Sequence, residues 1–95
     1  MNDEEASRLE GHRVRAHIVE GLIRAFESGG ELLDVVHSSA DRAEARQALM
    51  APPWQFTDIV ASYILDAPYG RTTRLGRADL AEELVQLRQI IGDSQ

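Results

Sequence analysis

Three arginines with a regular spacing are the first candidates for chemistry. Arg71, Arg74 and Arg77 recur at every third position, so they would share one face if this stretch is helical. Guanidinium groups on one face favour contact with phosphate groups. The alternative is a solvated stretch in which these arginines pair with nearby carboxylates, such as Asp66, Asp79 or Glu82. The net charge of −6 favours this alternative, because sequence-independent DNA binding is mostly electrostatic.

Two histidines, His12 and His17, are the next candidates. They are five positions apart, which separates them by about 140° around a helix. A metal site on one helix face needs a spacing of three or four residues, so we expect no metal ligand here. His17 is instead expected to pack or to form a hydrogen bond. Cysteine is absent, which excludes disulfide bonds and thiolate zinc sites.

Catalytic motifs are missing from the sequence. It contains no Gly-x-Ser-x-Gly nucleophile turn, phosphate-binding loop, dinucleotide fingerprint or calcium loop. Of the two tyrosines, Tyr63 is expected in the core and Tyr69 in an exposed stretch with proline and glycine. We therefore expect no catalytic residue, no cofactor and no small-molecule substrate. The chain on its own is predicted not to be an enzyme.

The composition is typical of one globular domain. The chain has 95 residues, of which 43% are hydrophobic and 27% are charged. No apolar run reaches the length of a membrane span, and the acidic N-terminal stretch has no hydrophobic signal region. These features predict a cytoplasmic protein without a membrane partner.

Five helices and no strand can be drawn from the periodicity, which predicts an all-α fold. The first helix is expected over 3–27, with Asn2 or Asp3 as its cap. It carries an apolar stripe with a spacing of four residues: Val14, Ile18, Leu22 and Phe26. Gly21 lies inside this helix and would permit a close helix crossing. Gly11 marks either a kink or the true start of the ordered helix.

Three short helices are expected next, over 31–37, 42–50 and 58–66. Asp41 and Glu44 have the spacing of a capping box before the second of these, and Thr57 is expected to cap the third. Trp54 lies between them, directly after two prolines. It is either a plug of the core or an exposed anchor for a partner, and the fixed turn favours the plug.

The last helix, expected over about 78–91, carries a short heptad seam. This seam is too short to form a coiled coil by itself, and the nearest partner for it is the first helix. We therefore predict an antiparallel helical hairpin, made of the first and last helices, that carries a small knob of short helices. The residues expected to pair the two arms are Leu9, Val14, Ile18, Leu80, Leu84, Leu87 and Ile91.

The order of these segments resembles one region of the A subunit of bacterial DNA gyrase and topoisomerase IV. "RAHIVEGLIRAF" is similar to the family's "RAHILEGLLIAL", and "ELLDVVHSS" to its "DEVIxLIRxS". "AEARQALM" resembles "AEAxxxLM", and "FTDIVASYILD" resembles "LSEIQAQAILD". "LAEELVQL" is similar to the start of the returning coiled-coil arm. The resemblance covers about residues 8–91.

In that family this region is the exit gate, in which two long helical arms carry a helical knob and the knobs of two subunits meet. The resemblance therefore implies a single gate-like domain over 1–95. Its outgoing arm would span 3–27, its knob 28–76 and its returning arm 77–92. It also implies a likeness of function, namely dimerisation or another protein–protein interaction.

Two departures from the family qualify this expectation. The DNA-cleaving tyrosine and its partner arginine belong to an upstream winged-helix domain, and neither Tyr63 nor Tyr69 matches that motif. Where the family continues "MRLxRLTGLE" into the dimer face, this chain reads "APYGRTTRLG", which changes the expected contact. The candidate interface residues are Tyr63, Asp66, Tyr69, Arg71, Thr72, Arg74 and Leu75.

The sequence thus predicts a non-catalytic interaction or dimerisation module. Its expected partner is a second copy, a gyrase-type A subunit, or both. An alternative is a split or relic part of a topoisomerase A subunit that takes part in DNA topological change only with other chains. A lesser alternative is a DNA-binding regulator that uses Arg71, Arg74 and Arg77.

Overall fold

The computed structural model describes residues 2–67 and 73–93. Within these ranges the chain forms five helices and no strand, so the predicted all-α fold is confirmed. The helices are α1 (Asp3–Glu27), α2 (Gly30–Ser38), α3 (Arg42–Met50), α4 (Asp58–Asp66) and α5 (Arg74–Asp93). No helix in the described ranges combines the length and the apolar character that a bilayer crossing requires.

The helix ends follow local capping chemistry. The side chain of Asn2 accepts a hydrogen bond from the backbone N–H of Glu5 at 2.8 Å, and α1 continues through Gly11 without a break. α5 begins at Arg74 rather than at the predicted Ala78. The hydroxyl oxygen of Thr73 accepts the backbone N–H of Gly76 at 3.0 Å, which stabilises an extra first turn.

α3 begins at the predicted cap, Asp41, but the capping box is only partly formed. The Asp41 side chain accepts the backbone N–H of Glu44 at 2.9 Å, which satisfies an N–H group that the helix itself leaves without a partner. The Glu44 carboxylate accepts the backbone N–H of Ala40, the residue before the cap, instead of that of Asp41. The arrangement fixes where α3 starts, and α3 then packs against α2 and α4 to build the knob.

α1 and α5 form the hairpin predicted from the sequence, and theirs is the most extensive contact between any two helices. Leu80, Leu84 and Leu87 are buried in one core cluster that also contains residues of α1. Arg77, in the first turn of α5, lines the same cavity as Phe26, in the last turn of α1. The two helices are therefore antiparallel.

The predicted stripe on α1 is wrong at one position. Val14 is 39% exposed, whereas Ile18 and Leu22 are buried. A spacing of four residues exceeds the helical period of 3.6, so each step turns the side chain by about 40° away from the core. Val14 therefore does not join the arm pairing. The other predicted members are buried or, for Ile91, partly buried against the core: Leu9, Ile18, Leu80, Leu84, Leu87 and Ile91.

Candidate interaction surface

α4 presents apolar side chains to solvent beside its buried face. Its buried residues are Val60, Ala61 and Ile64, whereas Tyr63 is 44% exposed. The prediction that Tyr63 lies in the core is therefore wrong. Ile59 is also exposed and lies one turn before Tyr63, so the two side chains form a short apolar stripe. Ile59 is not among the interface residues predicted from the sequence.

The remaining interface candidates have different surroundings. Leu75, in the first turn of α5, is 73% exposed. The Asp66 carboxylate forms an exposed ion pair with Arg42 of α3 at 2.8 Å. Arg74 is exposed at the start of α5. The other three candidates lie outside the described residues: Tyr69, Arg71 and Thr72.

Two of the three regularly spaced arginines can be placed. Arg74 and Arg77 both lie in the first turn of α5 and are exposed. The N-terminal end of a helix carries a partial positive charge. The charges of Arg74 and Arg77 add to it, so the start of α5 favours the binding of anions. Neither Arg74 nor Arg77 pairs with Asp66 within the described part of the chain, and that carboxylate instead accepts a hydrogen bond from Arg42. Arg71 lies outside the described residues.

Two ion pairs flank the hairpin seam. Arg15 of α1 donates from Nε to Oε2 of Glu83 at 2.6 Å and from Nη2 to Oε1 at 3.1 Å. On the opposite flank, Arg88 donates to Glu20 at 2.6 Å. The hydrogen bond to Glu83 raises the pKa of the Arg15 guanidinium, and burial opposes this shift. Because arginine is charged throughout the physiological range, this shift creates no pH switch.

His17 forms the hydrogen bond expected of it. Its Nε2 lies 2.8 Å from the hydroxyl oxygen of Thr57. Thr57 is the N-cap residue of α4, as predicted, but its side chain makes no capping hydrogen bond. The hydroxyl instead joins α1 to α4. Within the described ranges, no three side chains of histidine, cysteine, aspartate or glutamate are grouped as metal ligands.

Trp54 packs against the core and is partly buried. Its ring stacks on Phe56 with a centroid distance of 6.2 Å and an interplanar angle of 9°. The Arg24 guanidinium lies 4.2 Å from the centre of the Phe56 ring and donates a hydrogen bond to the Trp54 carbonyl oxygen. These contacts support the core-plug interpretation of Trp54.

Comparison with known proteins connects this helical hairpin with the A subunit of DNA gyrase. The chain is 39% identical over 80 residues to that of Aminobacterium colombiense, a match to 84% of this chain and 10% of that protein. The homologue from Campylobacter jejuni is 36% identical over 83 residues, or 87% of this chain and 10% of that protein. That of Thermotoga maritima is 38% identical over 79 residues, or 83% of this chain and 10% of that protein. No protein-family model matches the chain.

These matches confirm the resemblance that the sequence motifs indicated. The chain is homologous to one segment of the DNA gyrase A subunit, and the similarity runs through most of its length. It spans about a tenth of the length of the relatives it matches. The similarity therefore applies to that segment and not to the whole of those proteins.

Proposed function

We propose that this chain, a homologue of one segment of the DNA gyrase A subunit, is a non-catalytic interaction module that resembles the exit gate of that protein. Its partner is a second copy of the chain or a gyrase-type A subunit. The observation that carries the proposal is the exposure of Leu75, in the stretch that the resemblance assigns to the dimer face, and of Tyr63, a second interface candidate. In association with such a partner the chain would modulate a type IIA topoisomerase.

The exposed side chains are of the kind that anchors protein interfaces. Exposed apolar patches with polar surroundings are typical of interaction sites, and tyrosine is enriched among the residues that contribute most to binding. Ile59 lengthens the apolar stripe by one turn, and the ion pair of Arg42 with Asp66 lies at the end of α4 beyond Tyr63. The apolar stripe is therefore bordered at one end by a polar pair, as the edge of an interface commonly is.

Molar mass in solution tests the proposal directly. The chain is expected to dimerise at tens of micromolar, or to form a complex with the gyrase A subunit of the same organism, in size-exclusion chromatography with light scattering. Leu75→Asp should weaken either association. Val85→Asp is the matched control, because Val85 lies on the same helix and is 55% exposed but is not an interface candidate. Absence of both associations, or equal loss in both variants, would overturn the proposal.

The alternative role, a part of a topoisomerase that acts only with other chains, is favoured by the short span of the match, about a tenth of each relative. A gyrase A subunit that lacks the corresponding segment distinguishes the two. If adding this chain restores supercoiling, the chain replaces the missing part. If it instead changes the activity of the complete gyrase, the modulating role is supported.

A further inference from the structure

An apolar cavity of about 490 Å³ lies where four helices meet. It is bounded by the end of α1, by α2, by the end of α4 and by the first turn of α5. Its volume lies within the range of small-molecule sites in proteins, roughly 300–1,000 Å³. Aliphatic and aromatic side chains dominate its wall, among them Phe26, Leu32, Leu33, Val36, Ile64 and Leu65.

Arg77 is the one charged residue in the described part of the cavity wall. Arg15, Arg42, Arg46 and Arg88 each form an ion pair with a carboxylate. Arg77, by contrast, forms no ion pair with any residue in the described ranges. Its guanidinium is therefore available to an anion at the edge of an otherwise apolar space.

A second feature reinforces the preference for negative charge at this edge. Arg77 lies in the first turn of α5, where the helix carries a partial positive charge. That first turn contains no acidic residue to offset it. A single anionic group next to Arg77 would be stabilised by both the guanidinium and the helix end, whereas a cation there would be repelled.

We propose that this cavity binds an aliphatic monocarboxylate. The hydrocarbon chain would occupy the apolar space beside Leu32, Leu33 and Ile64, and the carboxylate would accept paired hydrogen bonds from the Arg77 guanidinium. Burial of the ligand's hydrocarbon tail contributes most of the binding free energy. The Arg77 guanidinium makes the site prefer a negatively charged head group. The site is separate from the exposed face of α4, so the proposal does not depend on the interaction role.

Binding can be measured by titrating the isotope-labelled full chain with octanoate and following its amide NMR signals. Octanoate is expected to give saturable shifts in the residues around the cavity. Octanol, which has the same chain but no charge, should bind about tenfold more weakly, because it cannot make the charge-assisted bonds. Octylammonium, with the opposite charge, should bind more weakly still.

Variants of the chain test the two halves of the site. Arg77→Gln should weaken octanoate about tenfold and leave octanol unchanged. Arg74→Gln is the matched control, since Arg74 lies in the same turn but is not among the cavity residues, and it should change neither. Ala67→Leu, which adds bulk to the cavity wall, should weaken octanoate and octanol alike.

Several results would overturn the proposal. These are an absence of octanoate binding at millimolar concentration, equal binding of octanoate and octylammonium to the unmodified chain, or shifts that map away from Leu32 and Ile64. The comparison of the three ligands on the unmodified chain needs no substitution, so it decides the question even if a variant fails to fold.

Discussion

Gly21 and Val60 touch so closely that no larger residue fits at position 21. A Cβ atom added to Gly21 would lie 2.3 Å from Cγ1 of Val60 and 3.0 Å from its Cγ2. Val60 is itself fully buried on α4, so its side chain has little room to move. The absence of a side chain at Gly21 thus sets the distance between α1 and α4, which holds the knob against the hairpin.

Gly21→Ala should destabilise the fold although alanine is the better helix former. We expect the free energy of unfolding to fall by roughly 1–3 kcal/mol, the usual cost of overpacking a core. Urea denaturation followed by circular dichroism measures it. A double variant with Val60→Ala removes the colliding methyl groups and should lose less stability than the two single variants predict by addition. A Gly21→Ala protein as stable as the original would contradict the close contact.

Gly11→Ala should have the opposite effect. Gly11 lies inside α1, and an added Cβ would meet nothing within 4 Å. Alanine also restricts the unfolded chain more than glycine does, so we expect a gain of roughly 0.5–1 kcal/mol. A gain of about 1 kcal/mol would raise the melting temperature by roughly 4–8 °C in a domain of this size. A decrease would show that α1 is not continuous through Gly11.

Leu80→Ala should destabilise the hairpin strongly. Leu80 is fully buried in the core between the arms, and truncation of such a side chain costs roughly 2–5 kcal/mol. Val85→Ala on the same helix should change the free energy of unfolding by less than about 0.5 kcal/mol, since Val85 faces solvent. Similar losses in both variants would mean that α5 packs on a different face.

The ion pair of Arg15 with Glu83 should couple the two arms measurably. Its side chains are partly buried and bonded at two points, which is the geometry in which an arginine–carboxylate pair contributes. A double-mutant cycle with alanine should give a coupling of roughly 0.5–1 kcal/mol. The exposed pair of Arg42 with Asp66 is the control, with a smaller coupling expected. A larger coupling energy for Arg42 with Asp66 than for Arg15 with Glu83 would contradict the partly buried, two-point contact between the arms.

DNA binding through the regularly spaced arginines can be tested by its salt dependence. We expect only weak binding at low ionic strength, because the net charge is −6. Replacing Arg74 and Arg77 by alanine should reduce the slope of log affinity against log salt by about 0.9 for each lost phosphate contact. The control replaces Arg8 and Arg13, which are exposed on α1. Unchanged affinity in the first variant would eliminate the regulator hypothesis.

Most helices were predictable because their signals are local. The bounds of α1, α3 and α4 follow from caps and from helix-breaking residues that lie within a few positions of each end. The predicted start of α5 lay four residues too late. Residues 74–77 follow a stretch rich in turn-forming residues, and a single threonine at position 73 is a weak signal for a helix cap within such a stretch.

The face that each helix buries was harder to predict, since it depends on partners distant in sequence. The segment "DIVASYILD" is apolar on nearly every side. The packing of Val60, Ala61 and Ile64 into the core leaves Tyr63 and Ile59 facing outward. The side chain of Thr57 also depends on a distant partner, because its hydroxyl forms a hydrogen bond with His17, 40 positions away in the sequence. The cavity beside Arg77 likewise forms only when four helices come together.

The antiparallel course of α1 and α5 has a mechanical consequence. The start of α1 and the end of α5 lie at the same end of the hairpin, remote from the knob. A pulling force applied between those two points would peel the arms apart, breaking the contacts of the seam one after another. It would not load all of the contacts at once, as a shearing force would. Rupture should therefore begin near Leu9 and Ile91 and reach the Gly21 crossing last.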